Sequence, residues 1–168
     1  MSNNILINKD FSNILSNELF SAISKGKEDK IDELIHLGAN INARDTKGRN
    51  ALFWAIYYRK TNIIKKLIDL GIDTKVTNIL LAVNYAVYKD DVKILKCLKS
   101  CGLDLNEHDD IKSTPLIYAV LYNKIQSIDY LLTNDVCVQH EDMLGNSALS
   151  LAYDLKIEYL IERFKALV

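Results

Sequence analysis

Five alanines recur along the chain at near-constant spacing. Ala22, Ala55, Ala86, Ala119 and Ala152 are separated by 33, 31, 33 and 33 residues. A period of this length restricts the fold to stacked supersecondary units, each burying its apolar face against its neighbours. Other columns keep the same register. Three residues before each alanine stand Leu19, Leu52, Val83, Leu116 and Leu149. Nine after it stand Ile31, Ile64, Leu95, Ile128 and Ile161, and twelve after it Leu34, Leu67, Leu98, Leu131 and Phe164. Sixteen after it come Gly38, Gly71, Gly102 and, with the glycine lost, Asp135.

Each column has a physical meaning. Residues three apart share one face of a helix, so the Leu and Ala columns mark the buried face of a short first helix. Alanine is small and lets the next helix approach closely. The later pair of columns marks the buried face of a second, longer helix. The glycine supplies the left-handed residue that ends it. Thr114-Pro115 reads as an N-cap followed by proline at the first helical position. Asp45 to Gly48 and Asp142 to Gly145 are turn signals between units. The unit is turn, helix, turn, helix, loop.

This register resembles the ankyrin repeat family. The matching segments are "IDELIHLGANINARD", "DTKGRNALFWAI", "IIKKLIDLGID", "STPLIYAV" and "DMLGNSALSLA". The resemblance implies an all-α solenoid of stacked helix-turn-helix units. Short β-hairpin or turn fingers project from it, and the terminal repeats act as caps. One repeat domain is expected over residues 17–168, with repeats at 17–44, 45–75, 76–106, 107–138 and 139–168. Residues 1–16 are expected to be a tail or a short capping segment, with Ile14, Leu15, Leu19 and Phe20 as the apolar stripe of that cap. Several positions depart from the family pattern. Phe53, Asn84, Ile117 and Ser150 stand where the family carries a histidine. The third unit is two residues short between Gly71 and Ala86 and has no Asp-x-x-Gly turn, so its finger should be truncated or missing. Lys165 replaces a core leucine, which suits a terminal cap with a wetted outer face.

Composition excludes several classes. The 21 basic and 22 acidic residues leave a net charge of -1, without the basic excess of a nucleic-acid binder. No apolar run approaches the roughly 20 residues that span a bilayer. The first 16 residues lack the uninterrupted apolar stretch of a signal peptide. The cytoplasm, of its own cell or of a host, is the expected compartment. Three cysteines, an odd number, do not suggest a disulfide framework. The 20 Ile, 15 Asn and 17 Lys against 4 Arg point to a low-GC genome.

No constellation suggests catalysis. His36, His108 and His140 are the only histidines, and His108 and His140 precede the turns of adjacent repeats, where they could face each other. A zinc site would need further ligands. Ser113 and Ser150 belong to no recognisable nucleophile-base arrangement, and no glycine-rich phosphate loop is present. No enzyme activity, metal or cofactor is expected.

The resemblance implies that a partner would contact the turn tips and the exposed side of each first helix. Two and three residues after each alanine lie Ser24 and Lys25, Tyr57 and Tyr58, Tyr88 and Lys89, Leu121 and Tyr122, and Asp154 and Leu155. Turn-tip positions include Lys47, Arg49, Ile111, Met143 and Leu144. Tyr57, Tyr58, Tyr88, Leu121, Tyr122 and Leu155 would line one concave stripe, a composition suited to a contact surface. Trp54, Tyr85 and Tyr118 should pack at least in part against neighbouring helices. Basic residues (Lys47, Arg49, Arg59, Lys60) gather in the second unit. Acidic ones (Glu107, Asp109, Asp110, Glu141, Asp142, Asp154) gather toward the C-terminus. The expected function is a protein-binding adaptor or inhibitor acting as a monomer on another protein, not on nucleic acid or membrane. An immunity or host-targeting factor is one alternative, and a structural, self-assembling protein is another.

Overall fold

The computed structural model describes residues 2–168, with side chains described from Phe11 onward. Met1 and the side chains of residues 2–10, part of the expected tail or capping segment, lie outside the described residues. Ten helices form two compact units, residues 2–78 and 79–168.

The first unit holds α1 (Ser2–Lys25), α2 (Glu28–His36), α3 (Ala51–Tyr57) and α4 (Thr61–Asp69). The first helices, α1 and α3, pack side by side, each backed by its own second helix. Leu15, Leu19, Ala22 and Ile23 of α1 are buried, whereas Ile14 is exposed. The apolar stripe expected around residues 14–20 therefore turns away from Ile14 and onto Ala22 and Ile23. Lys66 of α4 reaches Asp32 of α2 at 2.6 Å.

The second unit holds α5 (Ala82–Tyr88), α6 (Val92–Ser100), α7 (Pro115–Leu121), α8 (Ile125–Leu132), α9 (Ala148–Asp154) and α10 (Glu158–Lys165). Helices α5, α7 and α9 make one layer, and α6 and α8 pack together in the other, with α10 behind α9. All five ladder alanines are buried, as are the ten residues at positions nine and twelve after them.

The helix ends explain the period. Asn50, Thr114 and Ser147, each five residues before a ladder alanine, accept a hydrogen bond from the third amide of α3, α7 and α9. Ser147 and Ser150 form a reciprocal capping box. Leu81 occupies that place before α5 and offers no side-chain cap. At the other end, the carbonyl of every ladder alanine accepts from the amide five residues on, at 2.8–3.1 Å. The intervening residue is left-handed in each copy: Gly26, Arg59, Asp90, Asn123 and Lys156. The ladder alanine thus sets helix approach with its side chain and helix termination with its carbonyl.

The second helices end by the same device. Gly38, Gly71 and Gly102 are left-handed, and Asp135 holds the same conformation at φ 52° without glycine's freedom. A left-handed residue with a side chain costs roughly 1 kcal/mol, so Asp135→Gly is expected to stabilise the protein by about that amount. A urea midpoint that stays put or falls would show that the Asp135 side chain earns its place through a contact.

Candidate protein-binding face

Three inter-repeat fingers share one hydrogen-bond scheme. In each, the amide of an aspartate donates to the carbonyl four residues on: Asp45 to Arg49, Asp109 to Ser113, and Asp142 to Asn146. The aspartate carboxylate then accepts from the amides two and four residues on. The fourth residue of each finger is left-handed: Gly48, Lys112 and Gly145. A side chain on Gly48 would also meet the amide group of Asn78 at 3.1–3.3 Å. The fingers are therefore Asp-centred turns, and no β-strand occurs among the described residues.

The third repeat lacks an Asp-centred finger, and Thr74 and Val76 to Ile79 are bends instead. Two residues of the second repeat hold this segment. Fully buried Asn50 donates to the carbonyls of Asp73 (2.8 Å) and Lys75 (3.2 Å) while its oxygen caps α3. Arg44 donates to the Gly48 carbonyl, the Asp73 carboxylate and the Lys75 carbonyl at 2.7–2.9 Å. Neither residue was singled out by the sequence. The missing turn signal was the available clue, because unpaired loop carbonyls need donors from elsewhere.

Fingers four and five are joined. The Met143 amide donates to the Ile111 carbonyl at 2.9 Å, and the Ser113 hydroxyl donates to Asp142 at 2.9 Å. His108 and His140 stack with ring centroids 5.7 Å apart, so the expected facing pair is formed. The partner of the His140 Nε2 atom is the Lys112 carbonyl at 2.8 Å. Tyr118 donates to Asp109 at 2.5 Å. Burial and this carboxylate together push the Tyr118 phenol well above its ordinary range.

Asp109 and Asp142 are therefore turn-building groups. Both are buried, which corrects their expected place in an acidic surface patch. Burial works against ionisation of Asp142, but the Asn146 amide, the Ser113 hydroxyl and the Leu144 amide outweigh it and lower its carboxyl. Asp45 is lowered likewise, with burial opposed by the Arg49 and Lys47 amides and the Arg49 guanidinium. A carboxyl depressed in the folded state stabilises fully above its unfolded value, near about 4, and loses that contribution as pH falls through the folded value. Stability should therefore fall steeply below about pH 4. Asp142→Asn should be less stable at pH 7 and show a shallower acid limb. An unchanged limb in urea titrations at stepped pH would refute the assignment.

The expected contact residues divide between the two units. In the first unit, Tyr57 and Tyr58 are exposed on α3 and its C-cap. Their rings meet edge to face at 5.1 Å, Tyr57 lies parallel to Phe53, and Tyr58 lies against Trp54. Lys47 is exposed at the finger tip. Arg49 is half-buried, with its guanidinium 4.2 Å from the Trp54 ring centroid and its Nε 2.7 Å from Asp45. It braces the aromatic cluster as well as the finger.

In the second unit, Tyr88, Leu121, Tyr122 and Leu155 are all exposed by 46–56%. Tyr122 meets Tyr88 edge to face and Tyr118 in parallel, each at 6.1 Å. The Lys124 ammonium lies over Tyr88 at 5.3 Å. Ile111, Met143 and Leu144 are exposed at the paired finger tips, Leu144 by 77%. Tyr85 is buried, while Trp54 and Tyr118 are half-buried, in line with their expected packing.

Among the described residues no three His, Cys, Asp or Glu converge as metal ligands, and no helix is long and apolar enough to cross a membrane.

Two layers of paired helices, a buried alanine ladder and Asp-centred turns define a helical-hairpin repeat protein. The chain belongs to the ankyrin repeat family: a family model for ankyrin repeats (3 copies) matches residues 4–78 and 83–166. It is 32% identical over 123 residues to an ankyrin repeat protein of Acanthamoeba polyphaga mimivirus, across 71% of this chain and 16% of that one. It is 33% identical over 112 residues to one of Rickettsia bellii, across 66% and 15% of the two chains. An ankyrin repeat domain-containing protein of myxoma virus is 28% identical over 148 residues, across 80% and 30%. The chain thus spans less than a third of the length of each of these relatives. Ankyrin repeats as a family are protein-interaction modules and in general are not catalytic.

Proposed function

We propose that the chain is a protein-binding module, an adaptor or inhibitor, that seats a partner on the outward side of its first helices and on its finger tips. One observation carries this reading. The ladder alanine and the residues nine and twelve after it are buried in every repeat, whereas two and three residues after the alanine the chain exposes Tyr57, Tyr58, Tyr88, Leu121, Tyr122 and Leu155. Water gains nothing from these side chains, and tyrosine gives large buried area with a polar tip when a partner covers it. In the second unit Ile111, Met143 and Leu144 add apolar surface at the finger tips, and in the first unit Lys47 and Arg49 belong to the finger beside the aromatic cluster.

The partner is a protein, the module acts as a monomer in the cytoplasm of its own cell or of a host, and no enzyme activity is involved. Affinity capture from the native cell, followed by titration of the captured protein, tests the reading. Tyr88→Ala and Tyr122→Ala should each weaken binding by about 1–3 kcal/mol. Equal affinity for wild type and both variants would remove this face from the interface. Concentration-dependent light scattering of the pure protein would favour self-assembly instead.

A further inference from the structure

We propose that a cleft in the first unit, between the inter-helix turns of repeats one and two, binds a compact oxyanion, a phosphate or the carboxylate of an acidic side chain. The site lies outside the aromatic face and does not depend on the protein-binding reading.

The cleft has a volume of about 300 Å³ and is lined by Lys25, Gly26, Arg59, Lys60 and Asn62, with Glu28 as its one acid. Lys25 and Lys60 make no ion pair among the described residues. The Lys60 ammonium lies over Gly26, 3.4 Å from where a β-carbon on that glycine would stand. An ammonium that borders an open cleft without an acidic partner can pair with an anion that enters it.

The chain's second unit shows what occupies the equivalent place. Asp90 stands four residues after Ala86, as Gly26 does after Ala22, and both are left-handed, at φ 52° and 70°. The Asp90 carboxylate crosses to the next repeat and accepts from the amide of Ser127 at 2.8 Å and its hydroxyl at 2.7 Å. Ser127 is the third residue of α8, eight after Ala119. Ile63 is the third residue of α4, eight after Ala55, and it lines the cleft. Helix α4 has no side-chain cap. The first unit offers the matching helix amide at Ile63, without the Ser127 hydroxyl, and carries glycine where the carboxylate's stem would be. At the positions in sequence that correspond to Lys89, Asn123 and Lys124 stand Lys25, Arg59 and Lys60, all three of which line the cleft. An uncapped helix end and three cationic side chains thus meet where no carboxylate of the chain enters as Asp90 does.

The test is a titration of the full chain, labelled with nitrogen-15, with inorganic phosphate at constant ionic strength, and separately with a tetraglutamate peptide. The amides of Gly26, Thr61, Asn62 and Ile63 should shift together and saturate. Gly26→Asp should place its own carboxylate in the cleft, as Asp90 does, and weaken phosphate binding at least tenfold. Lys60→Ala should weaken it severalfold, and Lys93→Ala, on the other unit, should leave it unchanged. If the peptide shifts the same amides, a partner's acidic side chain is the source. If phosphate alone does, the ligand is a phosphate group. Shifts spread without saturation over lysine-bearing surface, or undiminished in Gly26→Asp, would overturn the proposal.

Discussion

Replacing Asn50 with alanine is expected to destabilise the protein by about 3 kcal/mol, although the residue touches no expected partner. The side chain does three things at once. Its oxygen caps α3 through the Phe53 amide at 3.0 Å, and its nitrogen serves the carbonyls of Asp73 and Lys75. Loss of an N-cap costs about 1 kcal/mol, and each buried acceptor left without a donor adds about 1 kcal/mol or more. Asn50→Asp keeps the cap but turns a donor into an anion facing two carbonyls, so it should be no better than alanine. Trp54 is the only tryptophan and packs beneath Arg49 in the same unit, so its fluorescence reports the transition directly. A loss below about 1 kcal/mol in urea unfolding would mean that Arg44 alone holds the 73–75 segment.

Phe164→Ala should cost still more, about 3–5 kcal/mol. The ring is fully buried and, with Leu160 and Ile161, forms the inner face of α10. Truncation leaves a cavity where α10 packs against α9. The adjacent Lys165 is exposed, with its ammonium 5.6 Å from the Tyr153 ring and 3.4 Å from Glu162. Lys165→Ala should therefore change stability by less than about 0.5 kcal/mol. Helical circular dichroism is the appropriate readout, because Trp54 lies in the other unit. Equal losses for the two substitutions would contradict the assignment of α10 as a cap with one buried and one wetted face.

The fold was legible because its core columns are chemically simple and repeat. Leu or Val before alanine, with Ile and Leu in the following helix, recur wherever a neighbouring unit must be met. The cap at Thr114-Pro115 and the Asp-x-x-Gly turns could be read for the same reason, since local backbone geometry demands those residues. Compensations written once could not be read. Arg44 and Asn50 act on a segment 23–31 residues away that exists only because the third repeat lost its finger. The left-handed column at Arg59, Asp90, Asn123 and Lys156 escaped notice because a glycine marks it only at Gly26. Asn84 shows the opposite case: it stands at the family's histidine position, is buried, and neither end of its amide finds a hydrogen-bond partner.

The proposed contact surface was legible only as exposure. Periodicity locates the positions that leave the core, so the tyrosines and finger-tip residues could be named before their geometry was seen. It does not tell a solvated acid from a buried one: Asp142 was readable as the start of a turn, but the burial of Asp109 and Asp142 was not. Charge counted along a sequence becomes surface charge only where the backbone leaves the carboxylate free.

One set of columns builds the repeats, and in the proposed function a second set is left free to bind. A single variant, Tyr57→Ala with Tyr58→Ala, Tyr88→Ala and Tyr122→Ala, separates the two when partner affinity is measured beside the thermal midpoint. The account predicts affinity lower by a hundredfold or more, from about 1–3 kcal/mol per side chain, with a midpoint within a few degrees of wild type. Unaltered affinity would remove this face from the interface, a collapse of the midpoint would place those rings in the core, and either result would contradict it.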